Sequence, residues 1–179
     1  MNTTSLIVEV LVGGFVALVW VFLIIIKAYG IDCTELDEFI VKYKDWSSVI
    51  LFSIMAISYQ LGWLMIHLSY LATHSTIIIP IRKIIFGDKH EDYRTIKNKV
   101  YCNSSSELMS GIEKDRSVIR LTRTGLLNFI IFSVVLVVYQ LWWLSLTSLI
   151  ISIICFMQLK AVYFSLYKKL NDSHSEINA

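Results

Sequence analysis

Charged residues are scarce in this chain. Asp, Glu, Lys and Arg make up 17% of its 179 residues and apolar residues make up 56%, whereas soluble domains have roughly 25% charged residues. The net charge of +2 is too small to indicate a nucleic-acid partner, so none is expected. The single proline leaves room for long uninterrupted helices.

Cysteines and catalytic motifs are also few. Three cysteines are too few and too scattered for a disulfide framework, and whether Cys33 pairs between two copies of the chain stays open. The sequence lacks the motifs of serine hydrolases, zinc proteases and P-loop enzymes. The four histidines have no metal-ligand spacing. We therefore expect a protein that is not an enzyme, with no catalytic residue, bound metal or cofactor.

Long apolar segments are what the chain has instead. Residues 6–26 and 47–72 are each long enough for a helix to cross the roughly 30 Å hydrocarbon layer of a membrane. Residues 126–159 would measure about 51 Å as one straight helix, so this segment must fold back, and we expect the break at residues 145–148. The prediction is an all-α polytopic membrane protein, a single domain over residues 1–179 with four transmembrane helices.

Positive charge is concentrated in residues 82–123, between the second and third predicted spans. This region holds ten of the sixteen Lys and Arg residues and six of the fourteen acids. Lys and Arg favour the cytoplasmic side of a membrane, so we expect this basic loop and both termini in the cytoplasm. Ser104 and Glu107 match a helix-capping box, and the third helix is predicted over residues 105–144, with its first half a cytoplasmic stalk. Residues 171–179 are expected to form a disordered tail.

Arg116, Arg120 and Arg123 are the most specific polar feature of the sequence. Their spacing places them on one face of a helix beside the bilayer, and Arg82 and Lys83 end the second apolar segment. Two hypotheses stay open for these five residues. They anchor the protein to the anionic headgroups of membrane lipids, at about 1 kcal/mol each, or they form a docking edge for a partner protein or an acidic ligand.

Polar and small residues inside the predicted spans are few. Gln60, His67 and Gln140 are singled out because polar side chains in lipid usually bond to a neighbouring helix. His67 fits a satisfied residue near a helix end better than a proton carrier. Gly13 and Ala17 form a small-residue face in the first span, where packing within the chain is favoured over contact between subunits.

Further predictions concern the ends of the spans. Glu9 is expected at the membrane interface, where it need not be buried. Residues 34–43 have the period of an amphipathic helix lying on the membrane surface. Pro80 should break or kink the helix at the end of the second apolar segment. Tyr163 and Tyr167 are expected at the interface after the fourth span.

In outline the chain resembles the small four-helix membrane subunits of bacterial phage-defence systems, such as the Kiwa membrane subunit. The resemblance covers the whole chain as an architecture: four spans, short ends, and a basic central loop with Arg116, Arg120 and Arg123. It implies a homo-oligomer in the bacterial inner membrane that responds to envelope disturbance. It also implies a separate cytoplasmic effector protein docked on the loop.

Two alternatives to this function stay open. The chain is also similar to the immunity proteins against pore-forming colicins, which share the four spans, a similar length and cytoplasmic termini. That resemblance implies binding to the membrane helices of a toxin. The other alternative is a membrane-permeabilising pore subunit, in which a ring of copies surrounds a lumen, although the polar side chains of the spans form no continuous stripe.

Overall fold

Helices make up nearly all of the part of the chain that the computed structural model describes, which comprises residues 3–31, 38, 41–87, 93–103 and 105–178. No strand occurs in these ranges. The elements, in order, are α1 (Thr3–Tyr29), a 3-10 turn (Lys44–Trp46), α2 (Ser47–Thr73), a π turn (His74–Ile78), α3 (Ile79–Phe86), α4 (Tyr93–Asn103), α5 (Ser106–Val138) and α6 (Trp142–Asn178).

Four stretches of helix are long and apolar enough to cross a membrane. They are Leu6–Tyr29, Lys44–Phe86, Ser106–Val138 and Trp142–Ser175. The prediction of an all-α chain with four membrane-length helices is therefore confirmed, and the chain has the form of a multi-pass membrane protein. The predicted surface helix falls mostly on residues outside the described ranges, and so does Cys33.

α1 and α2 approach so closely that only glycine fits between them. A Cβ atom added to Gly14 would lie 1.6 Å from the Ser58 carbonyl oxygen, and one added to Gly62 would lie 1.9 Å from the Val10 carbonyl oxygen. Gly14, the neighbour of the predicted small face, is thus the residue at the tightest contact. Close backbone approach is the usual role of small residues in membrane helix pairs.

The small face predicted at Gly13 and Ala17 is also used within the chain. Ala17 is completely buried. A Cβ atom on Gly13 would lie 2.8 Å from Cγ2 of Thr124 on α5, so α1 packs on α5 through this position. Both residues therefore have a role inside one copy of the bundle.

α5 and α6 form a hairpin whose turn lies at residues 139–141, so the predicted break at residues 145–148 is wrong. Gln140 takes a positive φ of 59°. The Gln140 amide donates to the Val137 carbonyl at 2.9 Å and the Leu141 amide to the Leu136 carbonyl at 3.0 Å. This is the Schellman end of a helix, with glutamine where glycine is usual.

The serines expected to break the helix instead join α6 to α5. Ser145 Oγ donates to the Ser133 carbonyl at 3.0 Å, and the two hydroxyl oxygens lie 3.0 Å apart. Ser148 Oγ donates to the Phe129 carbonyl at 2.9 Å. Helix-to-helix hydrogen bonds of this kind satisfy small polar groups in lipid, which explains why the serines lie in the first turns of α6.

The predicted disruption at Pro80 takes the form of the π turn. Pro80 lies in the first turn of α3, directly after the π turn His74–Ile78. Proline has no amide hydrogen and its ring collides with the carbonyl four residues earlier, so a wider turn accommodates it. The hydroxyl of Thr76 donates to the Ala72 carbonyl at 3.2 Å, beside this irregular turn.

The described parts of the basic region, residues 82–87, 93–103 and 105–123, pack against the end of α6. We call this part of the molecule, which comprises α3, α4, residues 106–123 of α5 and residues 163–178 of α6, the headpiece. Its core belongs to the buried cluster of the molecule and includes Phe86, Ile96, Val100, Ile112, Tyr167 and Leu170. α4 therefore packs against the rest of the headpiece through its apolar face.

Two predictions about helix ends in the headpiece are wrong. The N-cap of α5 is Ser105, whose Oγ accepts a hydrogen bond from the Leu108 amide at 3.3 Å; the predicted cap, Ser104, lies outside the described ranges. The tail is helical as far as Asn178, because Leu170 is 1% exposed and Ile177 packs against the same cluster. Apolar packing thus extends the helix into the segment expected to be disordered.

Candidate functional site: an arginine and tyrosine pocket

Four arginines and four tyrosines line one cavity of about 240 Å³ where the headpiece meets the end of α2. We call it the arginine–tyrosine pocket; its polar side chains are Arg82, Arg116, Arg120, Arg123, Tyr70, Tyr93, Tyr163 and Tyr167. Three of the arginines come from one face of α5, as their spacing predicted. That face is turned toward the other helices, with partners on α1, α2, α3, α4 and α6, so much of the predicted basic stripe points into the molecule.

Arg123 is the most deeply buried of these arginines, with 6% of its surface exposed. Its Nε donates to Ser69 Oγ at 3.2 Å and its Nη1 donates to the Tyr163 hydroxyl at 3.4 Å. Its Nη2 donates to the Ile66 carbonyl at 3.3 Å, and the ring of Tyr70 lies 5.1 Å from the guanidinium carbon. All of these partners are neutral.

Arg120 pairs with Glu9, the single acid of α1. The Nε of Arg120 lies 2.8 Å from Oε2 of Glu9, and Ser117 donates a hydrogen bond to the same carboxylate. Glu9 is only 8% exposed. The expectation that this carboxylate need not be buried is therefore wrong, because it neutralises an arginine that would otherwise be an unpaired charge between helices.

Arg82 and Arg116 lie against aromatic rings. The Nε of Arg82 donates to the Tyr167 hydroxyl at 3.0 Å, and its guanidinium carbon lies 4.1 Å from the ring centre of Tyr93. Arg116 lies 4.9 Å from the ring centre of Tyr101. Cation–π contacts of this kind hold a guanidinium in place without neutralising its charge.

Tyr163 and Tyr167, which are predicted at the level of the membrane interface, are buried in this pocket. Tyr163 is 5% exposed and Tyr167 is 2% exposed. Tyr93, on α4, has a pKa raised above its ordinary 10.0 because it is buried, although the charges of Arg82 and Arg116 oppose this effect. Its hydroxyl is therefore neutral at physiological pH and can donate a hydrogen bond.

Positive charge exceeds negative charge among the described residues that line the pocket. Among the residues that the structure describes, only Arg120 of the four arginines has a carboxylate within salt-bridge distance. The pKa of Lys97, on the adjoining helix, is lowered first by burial and then by the charges of Arg116, Arg94 and Arg82. A cavity with this charge balance and these hydrogen-bond donors suits an anion.

A second, apolar cavity of about 640 Å³ lies between α2, α5 and α6. We call it the apolar groove; its lining includes Ala72, Ile77, Leu126, Ile130, Ile153 and Phe156. Arg123 lines both this groove and the arginine–tyrosine pocket. The two cavities therefore meet at one guanidinium.

The remaining predicted site residues lie apart from the pocket. Lys83 is exposed on α3, and Gln60 is exposed on α2. His67 is also exposed, with Nδ1 2.9 Å from the Trp63 carbonyl oxygen of its own helix. Gln140 forms the hairpin turn. None of these four residues lines the pocket.

Asn128 is a polar residue of the third span that joins two helices and is not among the predicted site residues. Asn128, completely buried in α5, donates from Nδ2 to the Gly13 carbonyl at 2.9 Å and accepts from Trp20 Nε1 at 3.1 Å. A single amide in the middle of an apolar span is the signal that points to such a contact. It ties α5 to α1.

Other chemistry is sparse in the described ranges. No group of three or more His, Cys, Asp or Glu residues there has the arrangement of a metal site. Cys102 is exposed and Cys155 is half-buried, and both are free thiols. Comparison of the chain with protein-family models, with curated proteins and with solved structures finds no match.

Proposed function

We propose that this protein is a non-enzymatic subunit of a bacterial phage-defence complex in the inner membrane. Both termini and the headpiece lie in the cytoplasm, and the outer surface of the headpiece docks a cytoplasmic effector protein. The observation that carries this proposal is that residues 82–87, 93–103 and 105–123 pack into the headpiece. A folded surface binds a partner without first losing the conformational entropy of a flexible loop.

The charge of the headpiece supports an acidic docking partner. With most of the predicted stripe turned inward, the exposed positive charge is carried by other residues, among them Lys83, Arg94 and Lys114. Exposed charges at an interface set the rate and specificity of association more than its affinity. The docking edge proposed here is therefore this outer set of residues. The arginines of α5 make contacts inside the molecule and are not part of this surface.

The apolar surface of the bundle supports assembly into a homo-oligomer. Phe52 and Leu71 on α2 are 72% and 69% exposed, and Met157 on α6 is 66% exposed. In a membrane these side chains contact either lipid or another copy of the chain. The same surface supports the second candidate, an immunity protein, whose partner would be the apolar membrane helices of a toxin.

Co-purification in mild detergent, with the neighbouring genes expressed from their native order, tests the docking proposal. The variant carries Lys83→Glu, Arg94→Glu and Lys114→Glu. Its control carries Lys42→Glu and Lys44→Glu, at the opposite end of α2, where both lysines are exposed. We expect the headpiece variant to lose a stoichiometric cytoplasmic partner and the control to keep it.

Unchanged co-purification of the partner with the headpiece variant would refute the docking surface. Accessibility of Cys102 is measured on the same samples, because removing basic residues also alters topology. Retention of an added pore-forming toxin, with no cytoplasmic partner present, would support the immunity function instead.

A further inference from the structure

The arginine–tyrosine pocket and the apolar groove meet at Arg123, and together they have the chemistry of one amphipathic ligand. The pocket offers guanidinium and hydroxyl donors, and the groove offers apolar side chains. Among the described residues, the hydrogen-bond partners of Arg123, which lines both, are neutral groups. A ligand that places an anion beside Arg123 and an apolar chain beyond it would fill both cavities.

The charges of the pocket call for an anion. A guanidinium taken out of water is costly unless an opposite charge accompanies it. Within the described residues Glu9 accompanies Arg120, while Arg82, Arg116 and Arg123 have hydroxyl, carbonyl and ring partners. A planar guanidinium forms pairs of hydrogen bonds with the oxygens of a phosphate. A phosphate group is therefore a suitable anion for this pocket.

The groove calls for an acyl chain. Along α5 its lining runs from Arg123 to Ile130, a rise of about 10 Å along a helix axis. Ala72, Ile130, Ile153 and Phe156 line the groove and are still exposed, so the groove is open at the surface of the bundle. In a membrane, that surface faces the hydrocarbon chains of lipids.

We infer that an anionic phospholipid binds between α2, α5 and α6, with its phosphate in the arginine–tyrosine pocket and one acyl chain in the apolar groove. A soluble phosphate compound would satisfy the arginines and leave the groove unfilled. A lipid without net charge would fill the groove and leave the positive charge of the described pocket residues unbalanced. Basic pockets between membrane helices are a general feature of anionic-lipid recognition. The inference does not depend on the docking partner proposed above.

Native mass spectrometry tests this inference. The full chain is purified in detergent, incubated with an equimolar mixture of phosphatidylglycerol and phosphatidylcholine that carry the same acyl chains, and transferred to the gas phase. We expect phosphatidylglycerol to be retained about tenfold more than phosphatidylcholine, because both lipids present a phosphate but the choline cation of the second lipid balances that charge and repels the arginines. Arg82→Gln and Arg116→Gln, which alter partly exposed arginines, should each reduce this preference.

Two variants in which an alanine is replaced by tryptophan test the groove separately from the arginines. Ala72→Trp places a bulky side chain in the groove and leaves the arginines intact, so it should lower the retention of both lipids. Ala56→Trp is the matched control, because Ala56 is exposed on the same helix and does not line the groove. It should leave retention unchanged.

Three results would overturn the inference. The first is equal retention of the two lipids by the wild-type chain, which would mean that the pocket does not select an anion. The second is phosphatidylglycerol retention that is unaffected by Ala72→Trp, which would place the acyl chain elsewhere. The third is binding of inorganic phosphate that competes with the lipid and does not respond to Ala72→Trp, which would make the ligand a soluble phosphate.

Discussion

Substitution of Gly14 by alanine should separate α1 from α2. The added Cβ atom would meet the backbone carbonyl oxygen of Ser58 at 1.6 Å and the backbone nitrogen of Gly62 at 2.8 Å. Ordinary contact begins at 3.4 Å, so the oxygen must retreat by about 1.8 Å. Backbone atoms of a helix cannot rotate out of the way, so the two helices must move apart.

The expected change in the stability of the Gly14→Ala variant combines two opposing effects. Alanine in place of glycine favours a helix by about 0.5–1 kcal/mol. Overpacking costs about 1–3 kcal/mol or more, and the upper end applies where backbone is the obstacle. We expect a net loss of about 2 kcal/mol at Gly14, which lowers the melting temperature of a chain of this size by about 4–8 °C.

Gly111→Ala is the matched control. It lies in α5, and a Cβ atom there would meet nothing within 4 Å, so only the helix-propensity gain remains. Thermal unfolding of both variants in one detergent, followed by circular dichroism, should rank Gly14→Ala below the wild type and Gly111→Ala at or above it. Equal melting temperatures for the two variants would show that the close contact between α1 and α2 does not exist.

Three further predictions concern polar groups. Glu9→Gln leaves Arg120 without its carboxylate and should destabilise the chain by about 2 kcal/mol. A double-mutant cycle with Arg120→Gln measures the coupling free energy between the two side chains, and a value of zero would contradict the ion pair. Asn128→Leu removes the partner of Trp20 Nε1 and should cost about 1–2 kcal/mol in thermal unfolding; an unchanged melting temperature would mean that this contact contributes nothing. The raised pKa of Tyr93 means that its contribution to stability is complete below pH 10.0 and is lost as the pH rises through the folded-state value. Tyr93→Phe should therefore lose less stability than the wild type as the pH rises above about 10, and parallel stability curves would argue against this.

The four long helices were predictable because they depend on one property of the sequence, the length of its uncharged apolar segments. Charge is nearly absent from four segments of the chain, and length alone then requires helices that cross a membrane. The spacing of Arg116, Arg120 and Arg123 likewise predicts one shared face. It does not predict the direction of that face, because the tyrosines that surround it come from α2, α4 and α6.

The hairpin turn was not predictable from the usual turn residues. Gln140 adopts the left-handed conformation normally given to glycine, whereas the polar cluster at residues 145–148 has the composition of a turn and lies within a helix. What decides between them is the pairing of Ser145 with Ser133 across the two helices. Such a contact depends on the register of α5 against α6, which the sequence of either helix alone does not contain.

The topology of the chain is tested most directly with its own cysteines. Cys102 is exposed on α4, in the headpiece, and Cys33 belongs to the acidic link after α1. Two variants are made in which Cys155 is replaced and only Cys102 or only Cys33 is kept, and spheroplasts are treated with a membrane-impermeant maleimide. With the headpiece in the cytoplasm, Cys33 is labelled at once and Cys102 only after the membrane is permeabilised. Labelling of Cys102 in intact spheroplasts would contradict the cytoplasmic position of the headpiece and, with it, the cytoplasmic docking surface.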